Sequence, residues 1–497
     1  MNQVQFHATQ PFQSLNDASS NDDSQLGIIP EQYSTPDSLG ASGYLINSSP
    51  STIGFTSTDG SPLSQEIMLE NYGSPAGGFC VSEDTSHLKN KIRELEIAML
   101  GPEEFTGTNS LYSELNVPKV IDYGDLKQTL IACAKAIAND DMMITEMLLK
   151  QLEKMVSVSG DPLKRLGAYV YEGLLAKLAS SGSSIYKALR CKEPISTDLL
   201  SYMHILFDVC PYFKFGYMSA NGAIAEALRG ENSVHIIDFQ IAMGSQWVTL
   251  IRALAQQPGG PPHLRITGID DPVSKYARGG DLNLVGEKLA SLAESCNVPF
   301  EFHPVPVFGW EVKIEHLEIR HGEALAINFA FQLHHMPDES VNTWNHRDRI
   351  IRMAKSLSPR VVTLVEQESN TNTASFYSRF LETIDFYTAM FETIDATQLT
   401  RDNVERIHAE QHCVARDIVN IIACEGVERV ERHELLTKWK TRFTMAGFKM
   451  VPLSPFVNSK IKLLLENYNE NFRLVEDDGA LYLGWKNRKM VSSCAWR

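Results

Sequence analysis

The sequence predicts an α/β protein: a mostly parallel sheet with a helical cap, preceded by a disordered N-terminal tail. Three observations predict it. Val234-His235-Ile236-Ile237-Asp238 is a near-continuous apolar run ending in a carboxylate, the texture of a strand covered on both faces. From Asn232 onward such runs alternate with helical stretches, which implies right-handed βαβ crossovers. Ahead of Asn232, and from Val120 on, apolar residues recur at helical spacing.

Residues 1–118 are rich in Ser, Gly, Asn and Asp, with apolar residues scattered singly. Such a segment buries too little surface to offset its ordering entropy, which is the basis for expecting disorder. It carries fifteen Asp and Glu against Lys89, Lys91 and Arg93, or −12 of the net −16, so 119–497 is nearly balanced. That balance offers no field of Lys and Arg for DNA phosphates. Leu88, Ile92, Leu95 and Met99 recur at helical spacing and predict a short helix near 87–99, stopped by Gly101-Pro102. It is either a transient helix or one that orders on a partner. Phe12, Tyr33, Tyr44 and Phe55 in acidic surroundings fit an activation segment and a solvating linker equally. Eight cysteines without a C-x-x-C pair give neither a disulfide framework nor zinc-finger spacing, which fits a reducing compartment. There is no secretory signal and no stretch near the ~18 apolar residues of a membrane span. A soluble intracellular protein is expected.

The helical part begins with the stripe Leu126, Leu130, Cys133 and Ile137, followed by Ile144, Leu148, Leu152 and Met155. Asp161-Pro162 then supplies a capping carboxylate and a first-turn proline ahead of Leu163, Leu166, Val170, Leu174 and Leu178. A further helix is expected over 197–209, stopped by Pro211. The alternating part predicts strands at 234–239, 264–269, 300–304, 324–329 and 361–365. Helices are expected through Trp247–Leu254, 281–295 and 340–356. Phe448–Pro452 and Ala480–Trp485 read as late strands, as a hairpin-like pair. The expected layout is a cap of 119–218 with helices from 372–440, over a core of 219–371 and 441–497.

The carboxyl end of a strand in an open α/β sheet is where ligands bind. Asp238 ends the first strand and Asp270 and Asp271 follow the second, so the acid of a nucleotide or S-adenosylmethionine site is present. The glycines are not: the turn reads Phe239-Gln240-Ile241-Ala242-Met243-Gly244, with bulky side chains where a cofactor would lie. Asp238 can equally cap the following helix or bond loop amides. His334 and His335 follow the fourth strand, as acid/base groups, metal ligands or structural histidines. No other His or Cys sits at a matching short spacing, and the expected metal set is none. Glu366 and Glu368, at the end of the fifth strand, make a carboxylate pair without a nucleophile. No Walker loop, G-x-S-x-G elbow or H-E-x-x-H occurs, so no catalytic residue is assigned.

Taken together these motifs resemble the plant GRAS (scarecrow-like) family over roughly 119–497. Val234, His235, Ile236, Ile237 and Asp238 look like its VHIID signature. Pro359, Phe376, Tyr377, Arg432 and Glu434 look like the PFYRE block, with His433 intervening in the last pair. Trp439, Gly447, Leu483, Trp485, Cys494, Ala495 and Trp496 look like the SAW block, with Cys494 where the name has serine. The helix 88–99 with Leu100-Gly101-Pro102-Glu103 looks like the tail element of the branch linked to phytochrome A signal transduction. The resemblance implies a methyltransferase-like, Rossmann-type core under a helical cap, and a nuclear transcriptional regulator, also present in the cytoplasm, acting through partner proteins. The partners implied are other transcription factors or GRAS proteins, in a homo- or heterodimer, with DNA reached indirectly.

The leading expectation is a protein-interaction scaffold or coactivator, not an enzyme, with no cofactor, small-molecule substrate or membrane. Leu126, Leu130, Ile137, Leu148, Leu152, Leu166 and Leu174 are its candidate partner-binding residues, because apolar stripes left exposed mark interaction sites; packing within a helical subdomain is the other reading of the same stripes, and both can hold for different faces. Tryptophans such as Trp485 and Trp496 are interface anchors or core. Two alternatives stand beside it: an S-adenosylmethionine-dependent methyltransferase-like enzyme, and a direct sequence-specific DNA-binding factor. The last would use Lys438, Lys440, Arg442, Lys486, Arg488 and Lys489, which otherwise form a solvated face.

Overall fold

The computed structural model describes residues 125–497 except 183, 342 and 398. The tail expected over 1–118, its helix near 87–99 and the residues 119–124 lie outside the described residues.

Five parallel strands form the heart of the sheet: β1 (Ser233–Asp238), β2 (His263–Ile269), β3 (Phe300–Val305), β4 (Ala324–Ala330) and β5 (Val361–Gln367). The late strands are β6 (Met450–Val451), β7 (Phe472–Asp477), β8 (Ala480–Trp485) and β9 (Arg488–Trp496). The order is β3-β2-β1-β4-β5-β9-β8-β7, with β6 beside the end of β9. This is the Rossmann-type, methyltransferase-like arrangement: the order reverses between β1 and β4, and ligand sites of such sheets lie at that point. β9 runs antiparallel to β5, pairing Val362 with Trp496 and Gln367 with Val491. The terminal strand therefore closes the parallel half.

The late strands differ from the sequence expectation. Phe448–Pro452 shortens to the two residues of β6, which pair with Trp496 and Ala495 and not with β8. β8 lies between β7 and β9, both of which the sequence reading passed over. The reason is local texture. β7 carries Arg473, Glu476 and Asp477, and β9 carries Arg488, Lys489, Ser492 and Ser493, so neither shows an apolar run.

Two apolar layers flank the sheet. On one face Val234, Ile236, Leu264, Ile266, Ala326 and Val365 join the helices into one continuous core. On the other, Ile237, Phe239, Ile269, Ile327, Phe329 and Leu364 meet Ile350, Trp439, Phe443 and Trp496. The alternation along β1 is the period-2 rule of a strand. The first helices, Leu126–Ala138, Met142–Met155 and Pro162–Leu178, start on Asp125, Asp141 and Asp161, whose carboxylates accept from backbone N–H groups of the first turn. Ser196–Val209 follows, and the long helix Phe376–Asp395 and the helix Ala415–Ala423 complete the layer. A buried ion cluster fastens it: Arg165 Nε lies 3.1 Å from Glu410 Oε1 and its Nη1 2.7 Å from Asp395 Oδ1, while Arg406 pairs with Glu410 from the other side.

Both expected cap–core boundaries shift. Position 218 falls inside the helix Tyr212–Ala227, which lies on the sheet: a side chain on Gly216 would meet Val365 at 2.6 Å, and Ser219 Oγ hydrogen-bonds Ser493 Oγ at 2.7 Å. Helix Leu436–Met445 likewise belongs to the second sheet face through Trp439 and Phe443. Both are helical by periodicity. Nothing in a helical period says which layer a helix joins.

Candidate functional site

The carboxyl end of β1 is the place the fold reserves for a ligand, and here it is filled by the chain itself. Asp238 is 1% exposed. Its Oδ2 accepts from Trp247 Nε1 at 2.7 Å, and its Oδ1 from Asn328 Nδ2 at 3.0 Å and the Gln240 amide at 3.3 Å. The network continues: Asn328 Nδ2 also reaches Gln246 Oε1, Gln246 Nε2 donates to Asn221 Oδ1, and Thr363 Oγ1 donates to Asn328 Oδ1. One carboxylate thus holds β1, β4 and the helix Ser245–Leu254 in register. Burial raises the Asp238 carboxyl from 3.8 to about 6, and the three donors limit that rise. The partners named here all donate N–H groups, which favours the carboxylate form.

The turn after β1 closes the remaining space. Phe239 and Ile241 point inward at 2% and 3% exposure, and Phe239 sits 4.5 Å from Phe329, ring centre to ring centre. Met243, expected to help occlude the site, is 37% exposed. Gly244 adopts φ +72°, the left-handed conformation that lets the chain enter the next helix. A cleft of about 50 Å³ lies at this edge, lined by Phe239, Gln240, Asp270, Trp310, Gln332 and His335. Pockets for cofactor-sized ligands hold about 300–1,000 Å³. Asp270 is paired with Arg278 at 3.0 Å, and Asp271 caps its own turn on Ser274.

Most of the remaining motif residues are buried in the fold, while Pro359, Phe376 and Tyr377 are half-buried and Gly447 is exposed. His235 is fully buried under β1, between Arg265 Nη2 at 2.9 Å and Thr267 Oγ1 at 2.7 Å. Burial and the adjacent Arg265 hold it neutral, with a pKa lowered to about 3. Val234, Ile236 and Ile237 are core. Pro359 precedes β5 at its amino end, and Phe376 and Tyr377 open a helix, so the sequence block does not assemble as one site. Arg432 pairs with Asp338 at 3.0 Å, and Glu434 with Arg347 at 3.1 Å and Arg442 at 2.9 Å. Trp439 is fully buried and Gly447 ends its helix at φ +90°. Leu483, Trp485, Cys494, Ala495 and Trp496 lie in β8 and β9. Trp496 stacks on Phe443 at 4.9 Å, and Trp485 Nε1 donates to Glu392 at 2.8 Å. Burial pushes the Cys494 thiol up to about 12.

One surface expectation is corrected. Leu130, Leu148, Leu152, Leu166 and Leu174 are 0% exposed, Leu126 is 7% and Ile137 is half-buried, so this stripe is spent on the chain's own core. The apolar surface of the same layer is Met142, Met143, Ile144 and Met147, 38–80% exposed on the helix Met142–Met155. The tryptophans Trp485 and Trp496 are core as well. The basic cluster is neutralised from within. Lys440 pairs with Asp478, Arg442 with Glu434 and Asp348, Lys486 with Glu392, Arg488 with Glu382 and Asp385, and Lys489 with Asp477, while Lys438 bonds Thr373.

Residues that sequence spacing did not join meet at the end of β4. His334 Nδ1 lies 2.5 Å from Glu366 Oε2, and Glu431 and His433 arrive from about a hundred residues downstream. Burial pulls the His334 pKa down, but Glu366, Glu431 and Asp417 raise it above its ordinary value. Burial and the neighbouring cations put His335 and His433 well below theirs. Glu368, the other half of the expected carboxylate pair, accepts from the Leu436 amide at 3.2 Å instead. His334, His335 and Glu431 are the described residues that could hold a metal ion.

A doubly wound core whose ligand corner is closed by its own side chains, under a helical layer, defines the class: a Rossmann-type scaffold. Residues 126–497 match the GRAS domain family, and the chain belongs to it. It is 60% identical over 433 residues to the Scarecrow-like transcription factor PAT1 of Arabidopsis thaliana, covering 84% of this chain and 88% of that protein. It is 58% identical over 479 residues to chitin-inducible gibberellin-responsive protein 2 of Oryza sativa subsp. japonica, covering 94% and 88%. The crystal structure of SCL7 in Oryza sativa superposes with a TM-score of 0.67 at 34% identity, over 75% of this chain and all of that one. The family is one of transcriptional regulators.

Proposed function

We propose that this GRAS protein acts in the nucleus as a protein-interaction scaffold for transcription, meeting another transcription factor or another GRAS chain. The observation that carries the proposal is the outer face of the helix Met142–Met155. Met142, Met143 and Met147 are 51%, 80% and 47% exposed there, among Glu146, Lys150 and Lys154. Met side chains adapt to a partner's shape, and the apolar face of an amphipathic helix laid into a partner's groove is a standard mode of recognition. The closed ligand corner supports a non-enzymatic role, and the internally paired basic residues support reaching DNA through a partner. Similarity to PAT1, with the 88–103 element, supports a place in phytochrome signalling.

The test is capture from plant nuclei with the full chain and with the Met143→Asp, Met147→Asp double variant. The wild type recovers a transcription factor or a GRAS chain and the variant does not. Equal recovery by both removes this face from the proposal, and a fluorescent fusion that never enters nuclei removes the nuclear role. Calorimetric heat with S-adenosylmethionine that Asp238→Ala abolishes would favour the enzyme alternative. A steeply salt-dependent gel shift by the purified chain would favour direct DNA binding.

A further inference from the structure

Two stripes in this chain share one helical spacing. The first is on the helix Met142–Met155, where Met143, Met147, Lys150 and Lys154 recur at i, i+4, i+7 and i+11 and are all exposed. They lie on the side away from Thr145, Leu148, Leu149 and Leu152, by which the helix is buried. Met143 and Met147 are 80% and 47% exposed, and the aliphatic stems of Lys150 and Lys154 extend their apolar surface. The second stripe is Leu88, Ile92, Leu95 and Met99, outside the described residues, at the same i, i+4, i+7 and i+11. Two helices with stripes of this period can lie along one another over their whole length.

Charge sets the direction. The segment carries Lys89, Lys91 and Arg93 in its first half and Glu94 and Glu96 in its second. The helix carries Glu146 in its first half, and Lys150 and Lys154 on either side of Glu153 in its second. Laid parallel, with Leu88 by Met143 and Met99 by Lys154, the segment's cations meet Glu146 and its carboxylates meet Lys150 and Lys154. Laid antiparallel, like charges meet at both ends, and flanking charges of this kind set helix orientation.

Connectivity asks for the same direction. The described residues begin at Asp125, which caps the helix Leu126–Ala138. A side chain on Gly167 would meet Val156 Cγ1 at 3.0 Å and Leu126 Cδ2 at 3.2 Å, so Asp125 lies beside the carboxyl end of the helix Met142–Met155. The parallel arrangement brings Met99 to that same end. Residues 100–124 join the two points, and a chain of that length reaches up to about 85 Å, against about 21 Å for the helix. A tether this short holds its end at a roughly millimolar effective concentration, which favours the chain's own segment over that of a second copy.

We propose that residues 88–99 fold back as a helix on the outward face of Met142–Met155, parallel to it, and cover Met143 and Met147. The consequence rests on the reading of that face as the partner surface: the segment is then a latch that a transcription factor or GRAS chain displaces. A latch closed in about half the chains lowers a partner's apparent affinity about twofold.

The test uses the full chain. A photoreactive benzoylphenylalanine in place of Met143, or of Lys154, is expected to crosslink within one chain: from 143 to residues 88–92, and from 154 to residues 95–99. Peptide mass spectrometry reads the pairs. The reversed pairing, or no crosslink to 88–99 from either position, overturns the proposal. Mixing isotopically light and heavy chains identifies the occupant, and crosslinks that form only between chains mean a second copy and overturn the latch. Oxidation by dilute hydrogen peroxide gives a readout without a probe. Met143 should oxidise about twofold faster in the Ile92→Asp, Leu95→Asp double variant than in the wild type. Met445, 78% exposed on another helix, should keep its rate, and equal Met143 rates overturn the proposal. Nuclear capture keeps the latch apart from the scaffold reading. Crosslinks with equal capture by the wild type and by Met143→Asp, Met147→Asp leave the segment on the face and remove the partner. Capture lost in that variant without any crosslink removes the latch and leaves the partner.

Discussion

The ends of β1 and β4 are neighbours on one edge of the sheet and are finished in opposite ways. At β1 a single carboxylate meets three donors, and the polar atoms around it pass hydrogen bonds to one another from Asn221 to Thr363. At β4 three imidazoles pack around Glu431, and His334, its pKa raised by the carboxylates around it, lies between Glu366 and Glu431. The difference teaches that a buried polar corner can be closed by neutral donors or by an ion pair. Both are buried and polar. The first is tied by N–H groups around one carboxylate and the second by a histidine held between two carboxylates.

The sharpest way to break this contrast is to unbalance the β1 end. Asp238→Ala leaves buried donors on Trp247 and Asn328 without an acceptor, at about 1–3 kcal/mol each. A loss of about 4 kcal/mol is expected, read as a shift of the urea midpoint at unchanged slope. A loss below about 1 kcal/mol would mean that the network does not hold the strands.

The same carboxyl gives a pH signature. Its folded pKa, about 6, lies above the 3.8 of the ordinary group, so between about pH 4 and 6 the folded state keeps a proton that the unfolded chain has shed. Stability contributed by this group is full below that window, falls as pH rises through it, and is flat above. Two pH units correspond to on the order of 3 kcal/mol. Subtracting the Asp238→Asn profile from the wild-type profile should isolate the slope, and identical profiles would refute it.

At the β4 end the expected response is to loss of a carboxylate. Glu366→Gln puts a neutral amide where a carboxylate faces His334 Nδ1 at 2.5 Å, and a loss of about 2 kcal/mol is expected. Thermal melts should show that loss, and an unchanged midpoint would mean that the pair does not support the fold. The smallest effect belongs to the surface: Met143→Asp, at a position 80% exposed in the first turn of its helix, should change stability by no more than about 0.5 kcal/mol. A larger loss would place Met143 in the fold's support and not on a free face.

Much of the core was legible. The apolar runs that became β1, β2, β4 and β5 are covered on both faces, and such strands show in sequence as unbroken hydrophobicity. The Asp161-Pro162 start of a helix was legible because a cap is a local device. β7 and β9 were not, since one is an edge strand with Glu476 exposed and the other buries Ser492 and Ser493 through hydrogen bonds. The leucine stripe was read correctly as helical, with packing inside a helical layer and pairing with a partner both left open. A helix face does not say whether it is covered by the same chain or another. For the histidines, a search by short spacing could not find Glu431 and His433, because the turn after β4 meets them only once the helical layer has returned to the sheet.

The sequence by itself determined the family, the alternation of strands and helices, and the bulk of the turn after Asp238, because each is written in residues close along the chain. The tertiary structure decided which side chains face one another across the sheet's edge. It made Asp238 a satisfied tie, and it gathered three imidazoles around Glu431. Charge balance in a buried cluster depends on distances of 3–4 Å between groups far apart in sequence, and folding alone sets those.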